Sequence, residues 1–162
     1  MSIQTLKNVD EKKRKRIELS AKRIATLYGN LSYMLLHDKQ HEEKTDVDIK
    51  RLLEERIDYF ADVIEVQHIK LHLDLLPISL HVNEESMTKL FDNLLSNAIK
   101  YNDKDAPEIK ITYKDSVLSI FNKGEVIDTK NLFIVFDKYF QENPKNDGFG
   151  LGLSIVKEFC DK

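Results

Sequence analysis

The chain has 162 residues, 41% hydrophobic and 33% charged, with a formal net charge of −3, which is enough for one compact domain and an extension under a rather charged surface. Five Gly and three Pro exclude a collagen-like or breaker-driven disordered chain, and a single cysteine, Cys160, excludes an internal disulfide or a cysteine metal cluster and favours a reducing compartment. No apolar run approaches a membrane span, a basic stretch stands where a signal core would be, and the acidic balance speaks against general nucleic-acid binding.

Residues 1–10 are polar and aperiodic. Residues 11–23, EKKRKRIELSAKR, carry seven Lys/Arg against two acids. Such a run can meet phosphates or an anionic surface, but the apolar residues that follow at helical spacing favour the solvated side of a helix. Ile17, Ile24, Leu27, Leu31 and Met34/Leu35 form one narrow stripe and predict a long helix over about 12–38 that wants a partner helix, in a bundle or across a dimer. Residues 38–47 lack a core pattern and read as a linker. Ile49, Leu52, Leu53, Ile57, Phe60 and Ile64 predict a helix over 49–66. The period then changes to two: Ile69, Leu71 and Leu73 mark a strand with one covered face, Leu76-Pro77 ends it, and Ile78, Leu80 and Val82 mark another. Helical spacing returns over 84–101, with Met87, Leu90, Phe91, Leu94, Leu95, Ala98 and Ile99 inward. After a polar loop, 108–114 and 117–122 alternate and form a hairpin whose turn lies within Tyr113–Ser116. A short helical turn is expected around Leu132–Phe140, then the breaker-rich stretch 141–147, then a helix over Leu151–Phe159 that opens directly after glycines. This order describes an α+β fold: a two-layer α/β sandwich with helices on one face of a mostly antiparallel sheet, preceded by a long helix.

Two groups of residues carry chemistry. Asn93 and Asn97 are four apart, and Lys100 and Tyr101 follow three and four later, so all four lie on neighbouring parts of one helical face. Two neutral amide oxygens beside an ammonium suit a Mg²⁺–polyphosphate, although by spacing alone such asparagines are more commonly solvent-facing or cap-like. Gly148, Gly150 and Gly152 alternate with Phe149 and Leu151 and then enter a helix. Glycines let backbone approach a ligand, and the free N–H groups of a helix start attract phosphate, but a glycine triad is also a common turn. It fits neither the dinucleotide fingerprint nor the Gly-Lys-Ser/Thr phosphate loop.

Together the motifs resemble a family. Residues 90–102, LFDNLLSNAIKYN, are similar to the N box of bacterial sensor histidine kinases; GFGLGLSIVKEF, from Gly148 to Phe159, resembles their second glycine box; VFDKYF, Val135–Phe140, resembles their phenylalanine box. The resemblance covers roughly 48–162 as the ATP-binding catalytic domain. It extends more loosely to residues 1–40 as part of a dimerisation and phosphoacceptor domain, with 41–47 as linker. It implies that Asn93 and Asn97 coordinate Mg²⁺ or orient its water, Lys100 touches the phosphates and Tyr101 lines the nucleotide pocket. It also implies that 137–150 is an ATP lid, anchored by Phe136, whose phosphate-facing end is Gly148, Gly150, Leu151 and Gly152. The family's first glycine box corresponds to Asn122-Lys-Gly124-Glu-Val126. Asn122 stands where the family has an adenine-reading Asp, Val126 where it has a second Gly, and Gln141 where it has an Arg whose phosphate contact is either lost or supplied by Lys138. A carboxamide can both accept from and donate to adenine, so the first exchange is chemically tolerable.

No histidine stands in an acceptor context: His37 and His41 lie in charged surroundings at a helix end, and His68, His72 and His81 at outward strand positions. The chain also stops at Lys162, where family members continue with about two more strands. The expected function is therefore an ATP- and Mg²⁺-binding kinase catalytic fragment in the cytoplasm, free or as the cytoplasmic part of a membrane-bound sensor. It would donate phosphoryl to a histidine on a separate dimerisation domain, upstream of a response regulator, with homodimer pairing through 12–38 and no nucleic-acid partner. It would not autophosphorylate alone. The alternative is a degenerate nucleotide-binding or adaptor protein of the same fold. ATPases of the wider superfamily with gyrase, Hsp90 and mismatch-repair proteins usually place Glu where Asn93 stands.

Overall fold

The computed structural model describes residues 13, 14, 17, 20–22, 24–33, 43–142 and 149–161. The described residues up to 33 are helical, 24–33 without interruption (α1). His37, His41, Gly148 and the central part of the expected lid lie outside the described residues.

Two sheets form the β layer. Strand β1 (Thr45–Asp48) pairs antiparallel with β3 (Ser79–Val82). In the second sheet, β4 (Glu108–Lys114) is central, parallel to β2 (Lys70–Asp74) and antiparallel to β5 (Val117–Asn122). Residues 45–47, expected in the linker, thus belong to a strand. With Val47 its sole buried residue, β1 is too short to show a period. The β4–β5 hairpin closes through two residues within the expected stretch, Asp115 and Ser116, both at positive φ as a type I′ turn requires.

Asp48 caps α2 (Ile49–Tyr59), accepting from the Arg51 N–H at 3.0 Å. The helix expected to run to 66 breaks at Phe60, and a separate α3 spans Ala61–Val66. Asn83 caps α4 (Glu84–Lys100) by accepting from the Ser86 N–H at 2.8 Å, with Glu84 and Glu85 in the first turn and Lys100 in the last, all favourable to the helix dipole. Helix α5 spans Gly152–Cys160. The expected helical turn over Leu132–Phe140 is a chain of tight turns after the 3-10 segment Thr129–Asn131.

The main core lies between the helices and the sheet: Leu52 and Leu53 of α2, Phe91, Leu95, Ala98 and Ile99 of α4, and Ile109 and Ile111 of β4. A satellite cluster of Tyr33, Leu151 and Ile155, with Phe159 against it, joins α1 to α5. Phe136, expected as the lid's anchor, belongs to neither cluster and is exposed, as are Phe133, Tyr139 and Phe149.

Candidate nucleotide site

Asn93, Asn97 and Tyr101 follow each other at four-residue intervals along α4, so they form one line about 12 Å long at 1.5 Å rise per residue. The two ends of that line meet the two glycine-bearing segments.

At one end, Asn93 is buried, 3% exposed, and its Oδ1 lies 3.0 Å from where a Cβ on Gly152 would sit. Only glycine lets the backbone entering α5 come this close to the α4 carboxamide. Gly150, at φ +65°, occupies the left-handed region, and a Cβ there would run into the backbone of Tyr139 and Phe140. The Tyr139 N–H donates to Gly150 O at 2.9 Å, which ties together the two ends of the segment expected as a lid. Leu151 is buried, and its O accepts from the Ser154 hydroxyl at 2.9 Å. Among the described residues no side chain caps the start of α5, and the first N–H groups of a helix attract anions.

At the other end, Asn122 Nδ2 donates to Tyr101 O at 3.0 Å, and a Cβ on Gly124 would collide with the same carbonyl. The Lys100 ammonium donates to the Tyr101 hydroxyl at 2.9 Å and lies 4.6 Å from the ring centroid. With its amide nitrogen committed to Tyr101, Asn122 has its oxygen available to accept. Val126 is 92% exposed, so its side chain fills no part of this wall. Lys138 is exposed beside the Tyr139–Gly150 closure, and Asn97, half-buried, sits midway along the α4 line.

Two residues gather here without a sequence signal. Asn102 joins the end of α4 to β4: its Oδ1 accepts from the Glu108 N–H at 2.9 Å and its Nδ2 donates to Ala98 O and Glu108 O. Asn30 of α1 reaches Asn93, donating from Nδ2 to Asn93 Oδ1 at 2.7 Å and accepting from Asn93 Nδ2 at 3.2 Å. A lone asparagine in a charged helix has no period to betray it.

On the flank of α4 facing α2, Asp92 and Arg56 form a two-pronged ion pair at 2.7 and 3.2 Å. Burial nevertheless pushes the Asp92 carboxyl above its usual range, with Arg56 opposing. His72 pairs with Glu108 and His81 with Asp46, both at the surface, while His68 sits at positive φ in the turn before β2, not on the strand expected for it. Among the described residues no group of three or more His, Cys, Asp or Glu could hold a metal ion. The donors on offer are neutral amide oxygens beside a glycine cradle and a helix start. That set suits a magnesium ion carried by phosphates, since Mg²⁺ takes hard oxygen ligands and keeps few protein ones.

The sequence pattern of the family described as histidine kinase-, DNA gyrase B-, and HSP90-like ATPase matches residues 82–162. The chain is 28% identical over 118 residues to the sensor protein VanSC of Enterococcus gallinarum, covering 68% of this chain and 33% of that protein. It is 25% identical to the sensor histidine kinase YcbM of Bacillus subtilis, covering 99% of this chain and 57% of that protein. It therefore spans between a third and little more than half of these relatives. The catalytic domain of histidine kinase ThkA superposes with a TM-score of 0.63 at 25% identity, covering 72% of this chain and 78% of that one. ThkA in complex with response regulator protein TrrA superposes with a TM-score of 0.66 at 22% identity, over 90% of this chain and 43% of that one. No described helix is long and apolar enough to cross a membrane. The mixed α/β fold is that of histidine-kinase catalytic domains, and the chain belongs to the histidine kinase-, DNA gyrase B-, and HSP90-like ATPase family as the kinase-type catalytic domain of a bacterial sensor histidine kinase.

Proposed function

We propose that the chain binds ATP with Mg²⁺ along the α4 line and presents the terminal phosphoryl group to a histidine outside this chain, on a dimerisation domain that serves a response regulator. One observation carries this reading: the Asn93 oxygen against the Gly152 backbone, which joins the carboxamide face of α4 and the glycine turn into one wall. Asn97, with Asn93, holds the metal side of the triphosphate. Lys100 and the N–H groups at the start of α5 meet phosphate oxygens, with Lys138 at the edge, while Tyr101, Asn122 and Gly124 bound the adenine end. ATP supplies the transferable phosphoryl group, and Mg²⁺ neutralises its charge. The chain's own work is positioning and charge complementarity, the usual burden of protein in phosphoryl transfer.

The apolar residues Ile24, Tyr28 and Leu31 are exposed on α1, Tyr28 at 72%, as is Ile17 before it, and support pairing with a second helical copy. The ThkA–TrrA complex supports a response regulator as partner. Mixing the chain with a separately produced histidine-bearing helical domain and labelled ATP tests the donor role. Acid-labile label on that domain, lost with Asn97→Ala, is the expected result; a folded chain that binds nucleotide but labels no histidine domain favours the adaptor reading.

A further inference from the structure

The Asn93 carboxamide is fully engaged. Its Nδ2 donates to Lys89 O at 2.9 Å, which fixes which end of the amide is nitrogen, and also to Asn30 Oδ1; its Oδ1 accepts from Asn30 Nδ2. Asn30 is itself only 6% exposed. An amide oxygen has two lone pairs; here one accepts from Asn30, and Asn93 as a whole is only 3% exposed. A metal ion cannot reach that oxygen while α1 is docked.

Polar and aromatic contacts dock this helix on the domain. Lys22 Nζ donates to Tyr59 O, Asn30 pairs with Asn93, and Tyr33 stacks on Phe159 at 5.8 Å between centroids. A cavity of about 210 Å³ lined by Thr26, Gly29, Asn30, Tyr59, Lys89 and Asp92 remains between α1 and the domain. Gly29 touches nothing within 4 Å at its would-be Cβ and weakens the helix next to the contact. Among the described residues the contact combines these polar groups and the gap with the small satellite cluster of Tyr33, Leu151 and Ile155, which buries fewer residues than the main core.

We propose that Asn30 gates the nucleotide site: it occupies the Asn93 oxygen as a stand-in for the metal, so docking of α1 and binding of Mg²⁺–nucleotide exclude one another. The gate rests on the reading of Asn93 as a metal-side residue. By linkage the effect is reciprocal: releasing α1 strengthens Mg²⁺–nucleotide binding, and Mg²⁺–nucleotide binding releases α1. Nucleotide without metal has no claim on the Asn93 oxygen and leaves α1 in place.

The test compares the affinity of the full chain for a non-hydrolysable ATP analogue in Mg²⁺ and in EDTA, for wild type, Asn30→Ala and Tyr33→Ala. Hydrogen exchange of 24–33 is followed in parallel. Tyr33→Ala loosens α1 through Leu151, Ile155 and Phe159 rather than through Asn93, and carries the test if Asn30→Ala fails to fold. The expected result is Mg²⁺-dependent affinity about fivefold or more tighter in the variants, unchanged affinity in EDTA, and faster exchange of 24–33 in wild type only when metal and analogue are both present. Mg²⁺-dependent binding that is unchanged or weakened in the variants, with unaltered exchange of 24–33, overturns the gate alone and makes Asn30 a structural partner of Asn93. No binding in wild type or either variant overturns the nucleotide reading and the gate with it.

Discussion

Gly150 and Asp92 show what single residues decide here. Gly150 combines a left-handed φ with backbone on the side where a Cβ would go, so Gly150→Ala costs about 1–3 kcal/mol in strain and displaces the Tyr139–Gly150 hydrogen bond. Urea melts should register the loss, and fluorescent ATP-analogue binding should weaken further, because the start of α5 moves with it. Asp92 is subtler. Its carboxyl is raised by burial despite Arg56, so the folded chain holds that proton to higher pH than the unfolded chain does. Its contribution is greatest at acid pH and declines as pH rises from the ordinary carboxylate value through the raised one. Asp92→Asn should remove that decline from a stability-against-pH curve measured just above pH 4; an unaltered slope would contradict the assignment. The sequence displayed Asn93 and Asn97 through their four-residue spacing. It hid Asn30, whose meaning comes from a residue 63 positions away.

At the scale of elements, α4 was legible because its apolar period and its chemical face run along the same short stretch of chain. Elements that depend on distant partners were not. Strand β1 exists because β3 supplies its hydrogen bonds, and the parallel register of β2 on β4 is made across an intervening strand and helix. The α2–α3 break at Phe60 gives no cue beforehand, since the apolar period runs straight through it. Helix α1 carries two faces: Asn30 and Tyr33 inward, and Ile24, Tyr28 and Leu31 outward. Its apolar stripe, the part visible in the sequence, is the face left open. If that face pairs two copies, Ile24→Glu with Leu31→Glu should shift sedimentation from dimer to monomer at micromolar concentration, with the circular dichroism of the catalytic domain retained.

Across the whole molecule, two apolar clusters divide the labour. The main core holds α2, α4 and the sheet, while the satellite cluster holds α1 to α5 beside the glycine turn. Leu53→Ala, at a fully buried position of the first, should cost about 2–5 kcal/mol of global stability in denaturant titration. Tyr33→Ala should instead accelerate exchange in 24–33 and leave the exchange of β4 untouched, since Tyr33 packs in the satellite cluster and β4 in the main core. The same division places Asn93 under α1, outside the main core. Everything turns on Asn97 and the start of α5 facing one ligand. The most direct measurement is an amide NMR titration with an ATP analogue and Mg²⁺: wild type should show coincident shifts at Asn97, Gly150, Gly152 and Asn122 that vanish together in Asn97→Ala, whereas shifts confined to the surface basic residues, or kept in the variant, would contradict a single pocket.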